Sequence, residues 1–296
     1  MSRFCGTYTV MVTPFSNDGA HVEEAVLRDM VDWQIDQGIG GLIPLGSTGE
    51  VLSLSDAERH RVAELVIEQA RRRVPVIIGV GAENPMQVLR YALDAQDLGA
   101  DGLLVIPPFY STPTDDEVYA HYRCIGEAVA IPIMVYNNPA ITNIDLQPSL
   151  IARLAEIPNV ALVKESTLEA TRVRDILHLA EDRLQVFGGV LGFESFMNGA
   201  TGWTAVGANV LPDEFQQMYE HTVSTCDLSR ARALYRRLLP RIDGVGSTRY
   251  VSATKTLLNG LGWPVGPPRL PRLASSGAEI AWVERVRAEM NLTRRA

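Results

Sequence analysis

IPIMVYNNPAITNIDLQPSLIARLAEIPNVALVKE, residues 131–165, holds a strand, a turn-rich loop, a helix and a second strand in one short stretch. Residues 131–136 and 160–164 are continuous apolar runs, not alternating ones. That is the pattern of strands with one face in a core and the other covered by helices. Residues 147–156 between them carry helical spacing. Working outward, the same unit recurs every 25 to 35 residues or so, the usual length of a βα repeat. Further strands are expected at 8–12, 41–45, 74–79, 102–106, 184–187 and 204–206. The intervening helices fall at 22–37, 56–71, 85–98, 115–129, 168–180, 193–198 and 213–223. Eight units fill the first 225 residues, and eight parallel strands close a barrel, so the expected fold is α/β, a (β/α)8 TIM barrel. A doubly wound open sheet would place a glycine-rich phosphate loop after its first strand. Thr13-Pro14-Phe15 stands there instead. Residues 226–296 read as a C-terminal helical extension (229–239, 252–261, 278–291) packed on the barrel within one structural unit, with a proline-rich turn at 264–271.

Composition narrows the function. The 296 residues are 46% hydrophobic and 21% charged, ordinary for one globular core. A net charge of -8 argues against nucleic-acid or anionic-membrane partners. The basic run Arg71-Arg72-Arg73 is accounted for by a helix end, where positive charge meets the helix dipole. No apolar stretch is long enough to span a membrane. Cys5, Cys124 and Cys226 are odd in number and far apart, as expected of free thiols in a cytoplasmic protein. The five histidines, His21, His60, His121, His178 and His221, have no metal-ligand spacing and read as surface or satisfied packing residues. With no Walker-type loop and no dinucleotide fingerprint either, neither a cofactor nor a metal is expected.

The 27 basic residues include only two lysines, Lys164 and Lys255, so 25 are arginine. A lysine kept in such a chain asks for chemistry that a guanidinium cannot supply. An amine can shed its proton and attack a carbonyl. In a barrel, chemistry sits at the C-terminal ends of the strands. Lys164 ends one of them after four apolar residues, and desolvation there lowers an amine's pKa and makes it nucleophilic. Its alternative is a structural ion pair in the barrel mouth. Tyr136 ends the preceding strand and could relay protons or simply pack as a lid. Gly46-Ser47-Thr48-Gly49 could grip a carboxylate through hydroxyls and backbone N–H groups, with Glu50 bracing the turn from beneath. Glu165, on the opposite face of the strand from Lys164, is expected to hold a helix end or a loop. Arg249-Tyr250, ahead of the helix at 252–261, is a further positive candidate near the rim, with surface packing as its alternative.

Several strings occur together: Thr13-Pro14-Phe15, Gly46-Ser47-Thr48-Gly49-Glu50, Pro107-Pro108-Phe109-Tyr110, Tyr136-Asn137-Asn138-Pro139 and Val163-Lys164-Glu165. In this order they resemble the dihydrodipicolinate synthase and N-acetylneuraminate lyase family, pyruvate-type class I aldolases on a (β/α)8 barrel. The resemblance implies Lys164 as the Schiff-base lysine and Tyr136 as the proton-relaying tyrosine. It implies Ser47 and Thr48 as the carboxylate-binding pair, with Ser47 in a relay that Tyr110 of a neighbouring subunit completes. A homo-oligomer, a tetramer built as a dimer of dimers, follows from the same resemblance. The chain departs from the synthase pattern at Ile141, where those enzymes carry an arginine for the semialdehyde carboxylate. It departs from the sialic acid lyases at Gly189-Val190-Leu191, where they carry acidic residues. Ile141, Gly189, Val190 and Leu191 are therefore the expected specificity positions. The favoured substrate is a short 2-keto acid, such as a 2-keto-3-deoxy sugar acid or 4-hydroxy-2-oxoglutarate, cleaved or dehydrated. The alternatives are 4-hydroxy-tetrahydrodipicolinate synthesis from pyruvate and aspartate semialdehyde, using another arginine, and a non-catalytic barrel serving as a binding or regulatory module.

Overall fold

The computed structural model describes residues 4–245 and 249–289. Eight parallel strands run in the order β2-β1-β8-β7-β6-β5-β4-β3. They are β1 (Gly6–Val10), β2 (Gly41–Ile43), β3 (Ile77–Gly79), β4 (Gly102–Val105), β5 (Ile133–Asn137), β6 (Val160–Glu165), β7 (Gln185–Gly188) and β8 (Gly202–Ala205). A parallel bridge between Leu42 and Val76 joins the two ends of that order, so the sheet closes on itself. The fold is the (β/α)8 barrel expected from the repeat.

The outer helices are α1 (Glu24–Asp36), α2 (Asp56–Ala70), α3 (Pro85–Asp97), α4 (Asp115–Gly126), the short α5 (Pro139–Thr142), α6 (Pro148–Leu154), α7 (Arg172–Ala180), α8 (Gly192–Met197) and α9 (Pro212–Tyr219). Local chemistry sets several of their starts. Ser55 with Glu58, and Thr114 with Glu117, form capping boxes that satisfy the first backbone N–H groups of α2 and α4. Asn84 caps α3 ahead of Pro85. Then come α10 (Leu228–Val245), α11 (Tyr250–Gly260) and α12 (Gly277–Glu289). Of the helix expected at 278–291, the last two positions lie outside the described residues.

Strand periodicity divides the core in two. Tyr8, Val10, Ile43, Ile77, Leu104, Met134, Leu162 and Phe187 fill the barrel, while Ile133, Val135, Val163 and Val186 face the helices. Both sets are apolar, which is why the strands read as unbroken runs.

The expected boundaries shift in places. Strand β2 stops at Ile43 because Leu45 takes φ 59°, a left-handed turn that throws the chain into Gly46–Glu50. Strand β8 begins two residues earlier than expected, at Gly202. Helix α7 begins at Arg172, which frees Leu168 for the barrel mouth. Helix α9 passes into a π-helical turn at Glu220–Ser224, a feature without a sequence expectation.

Candidate active site

The alternation that fills the barrel also places the chemistry. In β5, Met134 and Tyr136 point inward; in β6, Leu162 and Lys164 do. The strands pair so that Tyr136 lies beside Lys164, and Lys164 lies beside Phe187 of β7. Lys164 is thus flanked by two aromatic residues, with its Nζ 4.0 Å from the centre of the Tyr136 ring. Only 7% of it is exposed. Burial alone moves its amine from 10.5 to about 7. No carboxylate pairs with it among the described residues, so the expected alternative of a structural ion pair does not describe this lysine.

Lys255 is buried as well, but in a different state. Its Nζ lies 2.7 Å from the Glu50 carboxylate, donates to the Pro267 carbonyl at 3.1 Å and sits over the Phe15 ring. Burial lowers its pKa to about 8 despite the pull of Glu50. The chain therefore keeps one lysine paired and one unpaired, and only the unpaired one stands at a strand end.

The Tyr136 phenol accepts a hydrogen bond from Asn138 Nδ2 at 3.0 Å, and the Ser47 and Ser166 hydroxyls face it. Burial raises its pKa, so at neutral pH the phenol keeps its proton. Behind the strands, Asn137 Nδ2 donates to Glu165 at 2.9 Å and to Asp145 at 3.2 Å, and Arg172 donates to both oxygens of Asp145. Glu165 also accepts from the Thr167 N–H at 2.7 Å. This outward network locks β5 to β6 and so fixes the spacing of Tyr136 and Lys164. Glu165 holds a loop, as its position suggested.

A cavity of about 450 Å³ opens over Ser47, Asn138 and Ser166, the side chains gathered round the Tyr136 phenol. Ser47, Asn138, Ser166 and Tyr250 supply polar groups to its walls, while Val51, Leu52, Ile106, Phe109, Ile141, Leu168 and Val190 make much of the rest apolar. Ser47 lines it, whereas Thr48 is buried behind, against the Tyr250 hydroxyl. Ile141 and Val190 are in the wall. Gly189 and Leu191 are not: Gly189 is packed so tightly on Ser166 that an added Cβ would come within 2.0 Å of its hydroxyl. The Leu191 carbonyl caps α8 by accepting from Ser195 N. Of the expected specificity turn, only Val190 reaches the cavity. Glu194 hydrogen-bonds to Tyr235, away from it.

Tyr110 does not line its own chain's cavity. Its side chain is 88% exposed, on a loop held by Glu83, which accepts from the N–H groups of Phe109, Tyr110 and Ser111 and from the Ser111 hydroxyl. Against its partial burial, those donors hold the Glu83 carboxyl down at about 2. Arg249 is also placed elsewhere: it pairs with Glu279 and donates to the Leu273 and Ala274 carbonyls. Among the described residues, the cation that lines the cavity is Arg272, which no sequence pattern marks, whereas Tyr250, of the Arg249-Tyr250 pair expected near the rim, does line it. Both come from the tail, where no strand end marks a position as functional.

The histidines are mixed. His60 pairs with Asp94, but His121 is buried with neither ring nitrogen in a well-formed hydrogen bond, and burial pushes it down to about 4. It is a neutral packing residue, not a satisfied one. Among the described residues, no three His, Cys, Asp or Glu side chains are grouped to hold a metal, and no helix is long and apolar enough to cross a membrane.

Comparison with known proteins gives the same architecture. The chain is 34% identical over 244 residues to a 4-hydroxy-tetrahydrodipicolinate synthase of Syntrophus aciditrophicus, covering 82% of this chain and 83% of that one. It is 33% identical over 291 residues to the enzyme of that name from Trichlorobacter lovleyi, covering 98% and 99%. Among solved structures, the chloride-inhibited dihydrodipicolinate synthase of Acinetobacter baumannii, complexed with pyruvate, superposes with a TM-score of 0.94 at 29% identity, covering 97% and 99%. A monomeric dihydrodipicolinate synthase variant superposes at 0.92 with 29% identity, covering 98% of each chain. The sequence model of the dihydrodipicolinate synthetase family matches residues 3–285. With a barrel of this form and a match over nearly its whole length, the chain belongs to the dihydrodipicolinate synthetase family of lysine Schiff-base lyases.

Proposed function

We propose that Lys164 forms an imine with the C2 carbonyl of pyruvate and that the enzyme joins the resulting nucleophile to an aldehyde bearing a carboxylate. The observation that carries this reading is the desolvated amine at a strand end, free of any carboxylate and set against the Tyr136 ring. The neutral amine attacks C2, and the carbinolamine loses its hydroxyl as water once that oxygen is protonated. The protonated phenol of Tyr136, with the Ser47 and Ser166 hydroxyls around it, supplies and recovers that proton. The iminium acidifies C3, the phenolate left on Tyr136 takes the C3 proton, and the enamine so formed attacks the aldehyde carbon. Cleavage of a 2-keto acid is the same sequence reversed.

The named relatives favour 4-hydroxy-tetrahydrodipicolinate synthesis, from pyruvate and aspartate semialdehyde, over cleavage of a short 2-keto acid. This reverses the preference drawn from Ile141 and the Gly189-Val190-Leu191 turn. Cleavage of 4-hydroxy-2-oxoglutarate or a 2-keto-3-deoxy sugar acid stays as a second reading, because Ile141 stands in the cavity wall. Membership of a lyase family leaves the non-catalytic reading without support. Tyr110 belongs to this proposal too. An exposed tyrosine on a loop pinned by Glu83 suits a homo-oligomer in which it enters a neighbour's site. The three free thiols suit a cytoplasmic enzyme.

Borohydride reduction in the presence of pyruvate, followed by peptide mass spectrometry, should find the adduct on Lys164. An adduct on Lys255, or none, overturns the proposal. A coupled assay then separates the two reactions: turnover of pyruvate with aspartate semialdehyde supports the synthase, and turnover of short 2-keto acids alone supports cleavage. Tyr136→Phe should keep the fold and slow trapping and turnover by roughly 10²- to 10⁴-fold, the range of a lost proton relay. Unchanged rates would remove Tyr136 from the chemistry.

A further inference from the structure

We infer that Arg272 anchors a second, distal carboxylate of the substrate, and that the site is built for molecules acidic at both ends. This rests on the imine at Lys164 and names a group that would hold the rest of the substrate in the cavity.

Among the described residues, two side chains lining the cavity carry charge, Glu50 and Arg272. The charge of Glu50 is already used: its carboxylate faces Lys255 Nζ at 2.7 Å and accepts the Arg269 N–H at 2.8 Å. Arg272 differs. Its guanidinium makes no hydrogen bond or ion pair among the described residues, although the two other arginines of this region are fully engaged. Arg269 donates to Glu58 and to the carbonyls of Gly19, Ala20 and Ser53. Arg249 pairs with Glu279. Among the described residues, the cavity thus presents one uncommitted cation.

That cation stands on a fixed backbone. On one side the Arg272 N–H donates to the carbonyl of the clamped Arg269 at 3.0 Å. On the other, the Leu273 carbonyl accepts from the Ser252 hydroxyl at 2.8 Å and from Arg249. An arginine held this way, facing a largely apolar cavity, is prepared for a planar anion that it can bind with two parallel hydrogen bonds. A single guanidinium balances one negative charge, which points to a carboxylate over a phosphate dianion. Walls such as Ile106, Ile141, Leu168 and Val190 offer little to a hydroxylated tail. Tyr250 lies within electrostatic reach of both Tyr136 and Arg272, and its phenol meets Thr48.

The test compares trapping at Lys164 of five- and seven-carbon 2-oxo diacids with the 2-oxo monoacids of equal length, read as the concentration giving half-maximal borohydride trapping. Wild-type enzyme should favour at least one diacid by roughly 10- to 100-fold, the span of one charged hydrogen-bonded contact. In Arg272→Gln that ratio should fall to near one, and Arg272→Lys should recover part of it. Pyruvate trapping, still detectable in the variant, reports a folded imine site. If wild type traps pyruvate but shows no diacid preference, or if Arg272→Gln keeps the preference, the anchor is wrong while the imine stands. If pyruvate is not trapped at Lys164 in wild type, the imine reading fails and takes this inference with it.

Discussion

Replacing Lys164 by methionine should abolish pyruvate trapping, lower turnover by on the order of 10⁴- to 10⁶-fold and make the folded chain more stable below pH 7. The activity loss is the scale on which covalent nucleophiles act. The gain in stability follows from burial. In the unfolded chain the amine holds its proton up to about 10.5, and in the barrel only up to about 7. Between those two values the unfolded state binds the extra proton, so stability rises with pH across that window. Below it both states are protonated, and the cost of the buried ammonium is complete. Lys164→Met removes that cost, roughly 3 kcal/mol or more at pH 6, and Tm should rise by on the order of 5 °C. Melting curves at pH 6 and pH 9.5 check this, with the gain larger at pH 6. A variant less stable than wild type at pH 6 would show that Lys164 is stabilised by a partner. The same pKa predicts that the wild-type trapping rate climbs through an apparent pKa near 7.

Breaking the Glu50–Lys255 pair should be the most destabilising single change at the site. The two side chains are 0% and 1% exposed, so removing either leaves the other charge buried with no counterion. Such a loss costs about 3–5 kcal/mol, whereas removing both charges together is often near neutral. We therefore expect Lys255→Met and Glu50→Gln each to lower the urea midpoint sharply, and the double variant to recover at least half of the loss. Additive losses in that cycle would mean that the pair is not coupled. The pair also ties Gly46–Glu50, which carries Ser47, to α11. Glu50→Gln that still folds should therefore need several-fold more pyruvate for half-maximal trapping. An unchanged requirement would separate the pair from the site.

Much of this molecule is legible in its sequence for identifiable reasons. The strands show because both faces of each are apolar. Lys164 and Tyr136 show because polar groups at the ends of apolar runs have few structural uses. The lysine scarcity singled out both buried lysines, yet their difference in state depends on Glu50, a contact across 205 positions that no local pattern encodes. The cavity wall is less legible. Val190, Gly189 and Leu191 are consecutive, but a close approach to Ser166 and a helix start divert the outer two. Arg272 follows a proline-rich turn, and its orientation depends on clamps from Arg269, Ser252 and Arg249, all set by tertiary packing.

The origin of the site's two halves has an evolutionary consequence. Lys164, Tyr136 and Ser47 belong to the barrel, while Tyr250 and Arg272 belong to the segment after α10. Drift in that segment can alter which partner molecule is accepted while bond-making is left intact. A lineage could thus explore new substrates through its last 50 or so residues without first losing the reaction it already has.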